Sequence, residues 1–354
     1  MRLVRVGCMV IILGCSFTGI AAAGALRVIY VSPRGNDRNE GTLSDPMLTL
    51  NAVDARLQGE APDTDVDIRC ISTQGTFWNQ FVEWEYFSPT HVTTIRGYPT
   101  GTRARFEMAD SAASTLPWFT FRAATSQPTH IVIRDLLILK YNAGGMVFKG
   151  GWPETDGWNG YNVIRNCIFA EMGNFGRSAP ICYGMLDFVS SIENVIDGCT
   201  FYHGQNNANP PIVAIYLAHD SRGNLIQGNT FRGIAGDCIK LRDGANANEI
   251  GCNTFIRSGN NANVIAWYCD ESIEEVSCSE REQPCDSTII ADNIAWGASN
   301  CDMAVLWKDM MQYLKPIPGR CSPCMGLPSK AVLLGNVIET CRVSDGANND
   351  VAPY

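Results

Sequence analysis

The feature that most constrains this chain is a six-residue pattern that returns seven times: an aliphatic residue, two variable residues, a position that is often Asn, another variable residue, and an apolar one. The copies lie at 133–138 (IRDLLI), 164–169 (IRNCIF), 196–201 (IDGCTF), 226–231 (IQGNTF), 250–255 (IGCNTF), 290–295 (IADNIA) and 333–338 (LLGNVI). Their fourth positions are spaced by 31, 32, 30, 24, 40 and 43 residues, which fits a coil of 24 to 32 residues lengthened twice by insertion. Short strands separated by sharp turns and stacked at about 4.8 Å per coil set identical residues above one another. Asn suits such a turn, because its amide donates to one neighbour, accepts from the next and tolerates left-handed backbone. Asn229, Asn253, Asn293 and Asn336 are therefore expected to form a ladder with a structural role. Cys167 and Cys199 take the same position in two earlier coils, as a stacked pair or a disulfide. The fold class is all-β, a single-stranded right-handed parallel β-helix.

After each copy comes a strand with alternating apolar residues: Met146 and Phe148, Leu186 and Phe188, Ile215 and Leu217, Ile239 and Leu241, Ile265 and Trp267, Val305 and Trp307. These should point inward. Alternation then turns Lys149, Asp187, Tyr216, Lys240 and Arg242 outward, exposed on one continuous sheet. Aromatic side chains at coil edges can serve as platforms for sugar rings. Tyr216, Trp152, Trp158 and Tyr161 are best placed, the last three in the turn-rich insertion 152–161 (WPETDGWNGY). Lys149, Asp187 and His219 complete the expected substrate-binding face, with a structural role as the alternative for His219.

Net charge is −9 and no run of Lys and Arg occurs, which argues against a general nucleic-acid partner. Arg2 and Arg5, the apolar run 6–20 and Ala21, Ala22 and Ala23 read as a signal peptide spanning 1–23, so the protein is expected to be secreted. The alternative is a lipobox at Ile12, Leu13, Gly14 and Cys15, which would make Cys15 a lipid anchor. No second apolar run approaches membrane length. Removing 1–23 leaves 13 of the 15 cysteines, an odd number. Disulfides are expected among the exposed set Cys269, Cys278, Cys285, Cys301, Cys321, Cys324 and Cys341. Insertions 269–287 and 309–329 carry most of them and are expected to pack as a stapled flap.

Ahead of the repeats, 30–50 reads YVSPRGNDRNEGTLSDPMLTL, and Leu50, Val53 and Leu57 then fall on one helical face. Tyr30, Val31, Ser32, Pro33, Gly35, Asn36, Asp37, Gly41, Thr42, Pro46, Thr49 and Leu50 resemble the end-cap segment of pectate-lyase-like β-helix proteins. That resemblance implies a helix plugging the open end of the solenoid. The organisation expected is one domain, 24–354, with a cap at 27–60, coils at 61–340 and a tail at 341–354, acting as a monomer.

The resemblance also implies chemistry. Gly236 to Asn248 (GDCIKLRDGANAN) is similar to the active strand of some members, with Lys240 as the base removing the proton beside a uronate carboxyl and Arg242 as the carboxylate clamp. Ca²⁺ held by Asp220, Asp237 and Asp243 would neutralise that carboxyl. Gly236, Asp237, Cys238, Ile239 and Leu241 also resemble a polygalacturonase strand without its second Asp, which leaves Asp187 and Asp237 as a carboxylate pair for hydrolysis. The remaining alternatives are ordinary strand charges paired with Asp220, Asp237 or Asp243, and a non-catalytic adhesin or envelope protein, since this fold hosts all of these.

Overall fold

The computed structural model describes residues 26–110, 116–152, 157–173, 184–204, 212–258, 263–267, 285, 287–296, 305–306, 331–334 and 336–339. They wind into a right-handed parallel β-helix of three long sheets. The first sheet runs through ten parallel strands from Arg27–Val31 to Ala331–Leu334, the second through nine from Thr76–Trp78 to Val337–Glu339, and the third through eight from Val82–Trp84 to Val305–Leu306. One coil illustrates the path: Val163–Arg165 in the first sheet, Ile168–Met172 in the second and Gly184–Val189 in the third, before Val195–Asp197 re-enters the first.

The repeat sits on the corner between the first and second sheets. Its third position takes left-handed backbone in six copies, with φ of 57° at Asp135, 50° at Asn166, 62° at Gly198, 64° at Gly228, 54° at Cys252 and 54° at Asp292. Gly, Asn and Asp tolerate that conformation, which accounts for their recurrence there. The fourth position turns inward and forms the expected ladder. Asn253 Oδ1 accepts the Asn229 backbone N–H at 2.9 Å and its amide at 3.0 Å, and Asn293 and Asn336 continue the series. Cys167 and Cys199 are buried free thiols directed at backbone carbonyls, Cys167 toward Arg165 at 3.4 Å and Cys199 toward Ile164 at 3.5 Å.

A second ladder precedes the first sheet and was not anticipated from the repeat. Asn162, Asn194, Asn224 and Asn248 are buried and pass the same pair of hydrogen bonds from coil to coil. Each stands two residues before the repeat's aliphatic position, so the fuller signature is N-x-I-x-x-N, as in NLIQGN at 224–229. Inside the coils, Phe169, Phe201, Phe231 and Phe255 stack with centroids 5.1, 5.0 and 4.8 Å apart, close to the coil rise.

The cap helix spans Leu50–Glu60 and buries Leu50, Val53 and Leu57 on the core. Asp37 accepts the Leu48 and Thr49 backbone N–H groups, which ties the first half of the motif to the helix start, and the Thr49 hydroxyl caps Ala52. Asp54 docks the helix by accepting the Glu85 and Tyr86 backbone N–H groups at 3.0 and 2.8 Å.

Inward packing holds for Met146, Phe148, Leu186, Phe188, Ile215, Leu217, Ile239 and Leu241, all fully buried. It is displaced by one residue in the following strand. Val264 pairs with Ile239 and is buried, which puts Ile265 and Trp267 in register with Lys240 and Arg242 instead of with the inward residues. The apolar run VIAW offers two alternating pairs, and the coil above selects the first. Val305 pairs with Val264, and Trp307 lies outside the described residues. Cys285 is buried and not part of an exposed set, whereas Cys269, Cys278, Cys301, Cys321, Cys324 and Cys341 lie outside the described residues, as does nearly all of the expected flap.

Charges on the first two sheets close on each other. Arg96 makes a two-pronged contact with Asp67 at 2.8 and 2.9 Å, and Arg69 joins it at 2.7 Å. Burial pushes the Asp67 carboxyl up most strongly, but the hydrogen bonds and charges of Arg96 and Arg69 together outweigh it and hold the group below its ordinary range. Glu107 is likewise depressed, burial being outweighed by Lys140 and Arg105. Asp54 runs the other way, raised because burial exceeds its hydrogen bonds.

Two measurements follow. Asn253→Ala strands the Asn229 donors and should cost about 2–3 kcal/mol in urea unfolding, with a loss below about 0.5 kcal/mol refuting a stabilising ladder. Asp67 and Glu107 contribute stability that is present above the unfolded carboxylate range near pH 4 and is lost as pH falls through their lower folded values. Thermal midpoints should therefore drop steeply below about pH 4. Asp67→Asn should flatten that slope and, by leaving Arg96 uncompensated, cost about 3–5 kcal/mol at neutral pH.

Candidate functional site

The outward face of the third sheet gathers most of the candidates, and its register fixes their order. Val147, Asp187, Tyr216 and Lys240 follow one another on four consecutive coils. Two residues further along lies a second line: Arg122, Lys149, Val189 and Ala218, with Arg242 next in the alternation. Four strand spacings separate Arg122 from Arg242, roughly 19 Å. Arg122 was not singled out from the sequence, although FTFR at 119–122 has the alternation of MVFK at 146–149 and IKLR at 239–242, each ending in a cation. Comparing those three tetrapeptides would have revealed it.

Exposure differs from the expectation. Lys149, Lys240 and Arg242 are half-buried, while Asp187 and Tyr216 are only 5% and 3% exposed. Tyr216 packs with Val213 and Ala218 in a small apolar cluster separate from the coil interior. Strand alternation assigns a side chain to the outer face but says nothing of what covers that face. The Asp187 carboxylate leans back along its own strand: a Cβ built on Gly184 would stand 2.4 Å from Asp187 Oδ1 and 3.3 Å from the Tyr216 Cβ. Glycine at 184 thus provides the space in which this carboxylate lies. Asp237, 7% exposed, stands two coils on from Asp187 in the turn leading into Ile239–Arg242. Strand spacing alone separates the pair by roughly 10 Å.

At the exit of the sheet the coils turn through left-handed residues, with φ of 48° at Ser190, 50° at His219, 63° at Asp220 and 45° at Asp243. This corner brings together three candidates from separate coils. His219 Nδ1 lies 2.7 Å from Asp243 Oδ2, and the Trp152 ring covers the imidazole with centroids 3.4 Å apart and planes 7° from parallel. Trp152 remains 42% exposed, whereas the His219 side chain is 10% exposed. The Ser190 hydroxyl and backbone N–H both donate to the His219 carbonyl, and the Asp220 N–H donates to the Asp243 carbonyl at 2.8 Å, so the corner's backbone is fixed as well. Trp158, half-buried in the same insertion, is tilted against Tyr161 at 6.3 Å.

The three carboxylates expected to hold Ca²⁺ are distributed differently. Asp243 is committed to His219, and Asp220 forms an ion pair with Arg222. Among the described residues no three His, Cys, Asp or Glu side chains converge on a common point where a metal ion could sit.

Gly184→Ala tests the placement of Asp187. It should cost about 1–3 kcal/mol by forcing the carboxylate out of its space, and much less in an Asp187→Ala background. Equal costs in both backgrounds, read from urea midpoints, would show that the two residues do not compete for that volume.

Among solved structures, the chain is similar to alginate lyase from Paenibacillus sp. str. FPU-7, at 14% identity over 88% of this chain and 95% of that one, with a TM-score of 0.42. It is also similar to pectate lyase Pel9A, at 12% identity over 94% and 80% of the two chains and a TM-score of 0.42. A third is GH136 lacto-N-biosidase from Eubacterium ramulus, at 11% identity over 88% and 68% and a TM-score of 0.42. These likenesses are of fold, and no protein-family profile and no curated protein matches the chain.

Proposed function

We propose that this secreted β-helix binds an acidic polysaccharide along the outward face of its third sheet and cleaves it by β-elimination at Lys240. The observation that carries the reading is the line of cations: Arg122 and Lys149 directly opposite one another on adjacent coils, and Arg242 further along the same line beside Lys240. Together they present positive charge along the helix axis, where a polyanion can lie. One coil rise is about the length of a sugar residue, so successive uronates can meet successive coils.

In the reaction, neutral Lys240 takes the proton beside the uronate carboxyl while Arg242 pairs with that carboxylate and stabilises the developing enolate. The C–H electron pair becomes the new C=C bond, the adjacent C–O bond breaks, and the leaving oxygen takes a proton from solvent. Arg is suited to the clamp because its planar fork binds a carboxylate through two hydrogen bonds. The assay is run with and without Ca²⁺.

The protein should be offered polygalacturonate, alginate, chondroitin and a neutral glycan. Elimination gives an unsaturated product whose conjugated C=C–carboxylate raises far-ultraviolet absorbance, and Lys240→Ala should lower its rate by at least about 100-fold. Arg242→Ala should weaken binding, and binding by the wild type should fall with added salt. Reducing ends without absorbance would move the chemistry to Asp187 and Asp237 as a hydrolytic pair. Binding without cleavage would make the chain a non-catalytic adhesin or envelope protein, and no binding at all would end the carbohydrate reading.

A further inference from the structure

The geometry points to Trp152 as a preformed platform for one pyranose ring, held flat by His219 and, through it, by Asp243. This rests on the glycan-binding reading above but not on the elimination chemistry or on the sugar's charge. Trp152 lies in the turn after Met146–Lys149, and His219 follows Val213–Ala218 two coils away. The indole therefore reaches across the intervening coil to lie on the imidazole, with planes 7° from parallel and centroids 3.4 Å apart.

Two rings of like electron distribution avoid a centred sandwich and slide to an offset or edge-on arrangement. Asp243 bears on this. The contact at 2.7 Å between Nδ1 and Asp243 Oδ2 holds the imidazole in place against that slide. His219 is thus a positioning residue, fixed at its ring nitrogen by Asp243 and at its carbonyl by Ser190.

One indole face is covered by His219, yet 42% of the residue remains exposed, so the open area lies on the opposite face and the edge. A flat, exposed aromatic face immobilised before the ligand arrives is what the apolar C–H face of a sugar ring packs against, and it requires little ordering on binding. It stands beside the cationic line, in the turn that follows Lys149. A glycan engaged by Lys149 would set an adjoining ring over the indole. The ligand class is a pyranose-containing chain, acidic where it crosses the sheet and unconstrained in charge at the platform.

The test uses the full chain and three probes: a galacturonate tetrasaccharide, an alginate tetrasaccharide and a neutral cello-tetraose. Affinity is measured by calorimetry and tryptophan emission is followed during each titration. The expected result is a change in emission on binding that is absent in Trp152→Ala, together with roughly tenfold weaker affinity. Trp152→Tyr should restore most of the affinity because it retains a ring. His219→Ala should weaken binding about threefold to fivefold and His219→Phe should restore it, since a second ring can replace the support. Unaltered affinity and emission in Trp152→Ala would overturn the platform while leaving the acidic-glycan reading intact. Binding of cello-tetraose alone, lost in Trp152→Ala, would uphold the platform and remove the uronate. Failure of all three probes to bind the wild type would overturn both.

Discussion

Everything on the outside of this molecule depends on a corner on the inside. Between the first and second sheets the chain turns on a left-handed third position and an inward fourth, so consecutive coils leave the corner superimposed. The Asn ladder at that fourth position, and the second ladder at Asn162, Asn194, Asn224 and Asn248, grip the first sheet from both sides. Repeat spacing varies from 24 to 43 residues, yet the strands of the first sheet stay in register because the variation falls in the other corners. The third sheet inherits that register. A candidate site whose parts come from five coils is ordered by amides that never touch it.

Sheet occupancy and inward packing were legible because both are periodic: a corner favours Gly, Asn or Asp at one position, and a strand needs apolar residues at alternate ones. Legibility fails where periodicity is ambiguous or silent. VIAW contains two alternations, and only pairing with Ile239 and Leu241 decides between them. For Asp187 and Tyr216, alternation gave the correct side of the sheet but not their burial, because alternation carries no information on what covers an outer face. Gly184 gave no signal at all, since its importance is the absence of a Cβ beside Asp187. Arg122 was legible in FTFR but lay upstream of the first repeat copy, where the six-residue pattern does not reach.

Charge is distributed by sheet. On the first and second sheets, cations close on carboxylates of the same or a neighbouring coil: Arg69 and Arg96 on Asp67, Arg105 and Lys140 on Glu107, Arg165 on Asp197. Such groups stabilise the solenoid wall and offer a ligand little. The third sheet aligns cations with cations, Arg122 with Lys149, within a chain whose net charge is −9. Net charge therefore does not predict the partner here. At a few ångströms the local arrangement of charge outweighs the screened field of distant groups.

The stacked corner also shows how a rigid solenoid acquires a shaped site. Strands supply positions only at the coil rise, about 4.8 Å, and always perpendicular to the sheet. A sugar chain needs surfaces at other heights and angles. An insertion provides them: Gly151 donates to Gly157 at 2.6 Å, closing the loop from which Trp152 extends over two coil spacings to His219. Gly150 allows that loop to leave the sheet, because a Cβ there would lie 2.4 Å from the Ser190 carbonyl of the next coil. The left-handed turns at His219 and Asp243 hold the supporting pair where the loop lands. Periodic backbone thus sets the accuracy, and one aperiodic loop sets the shape, so changes to the loop can alter the surface it presents without disturbing the coils beneath.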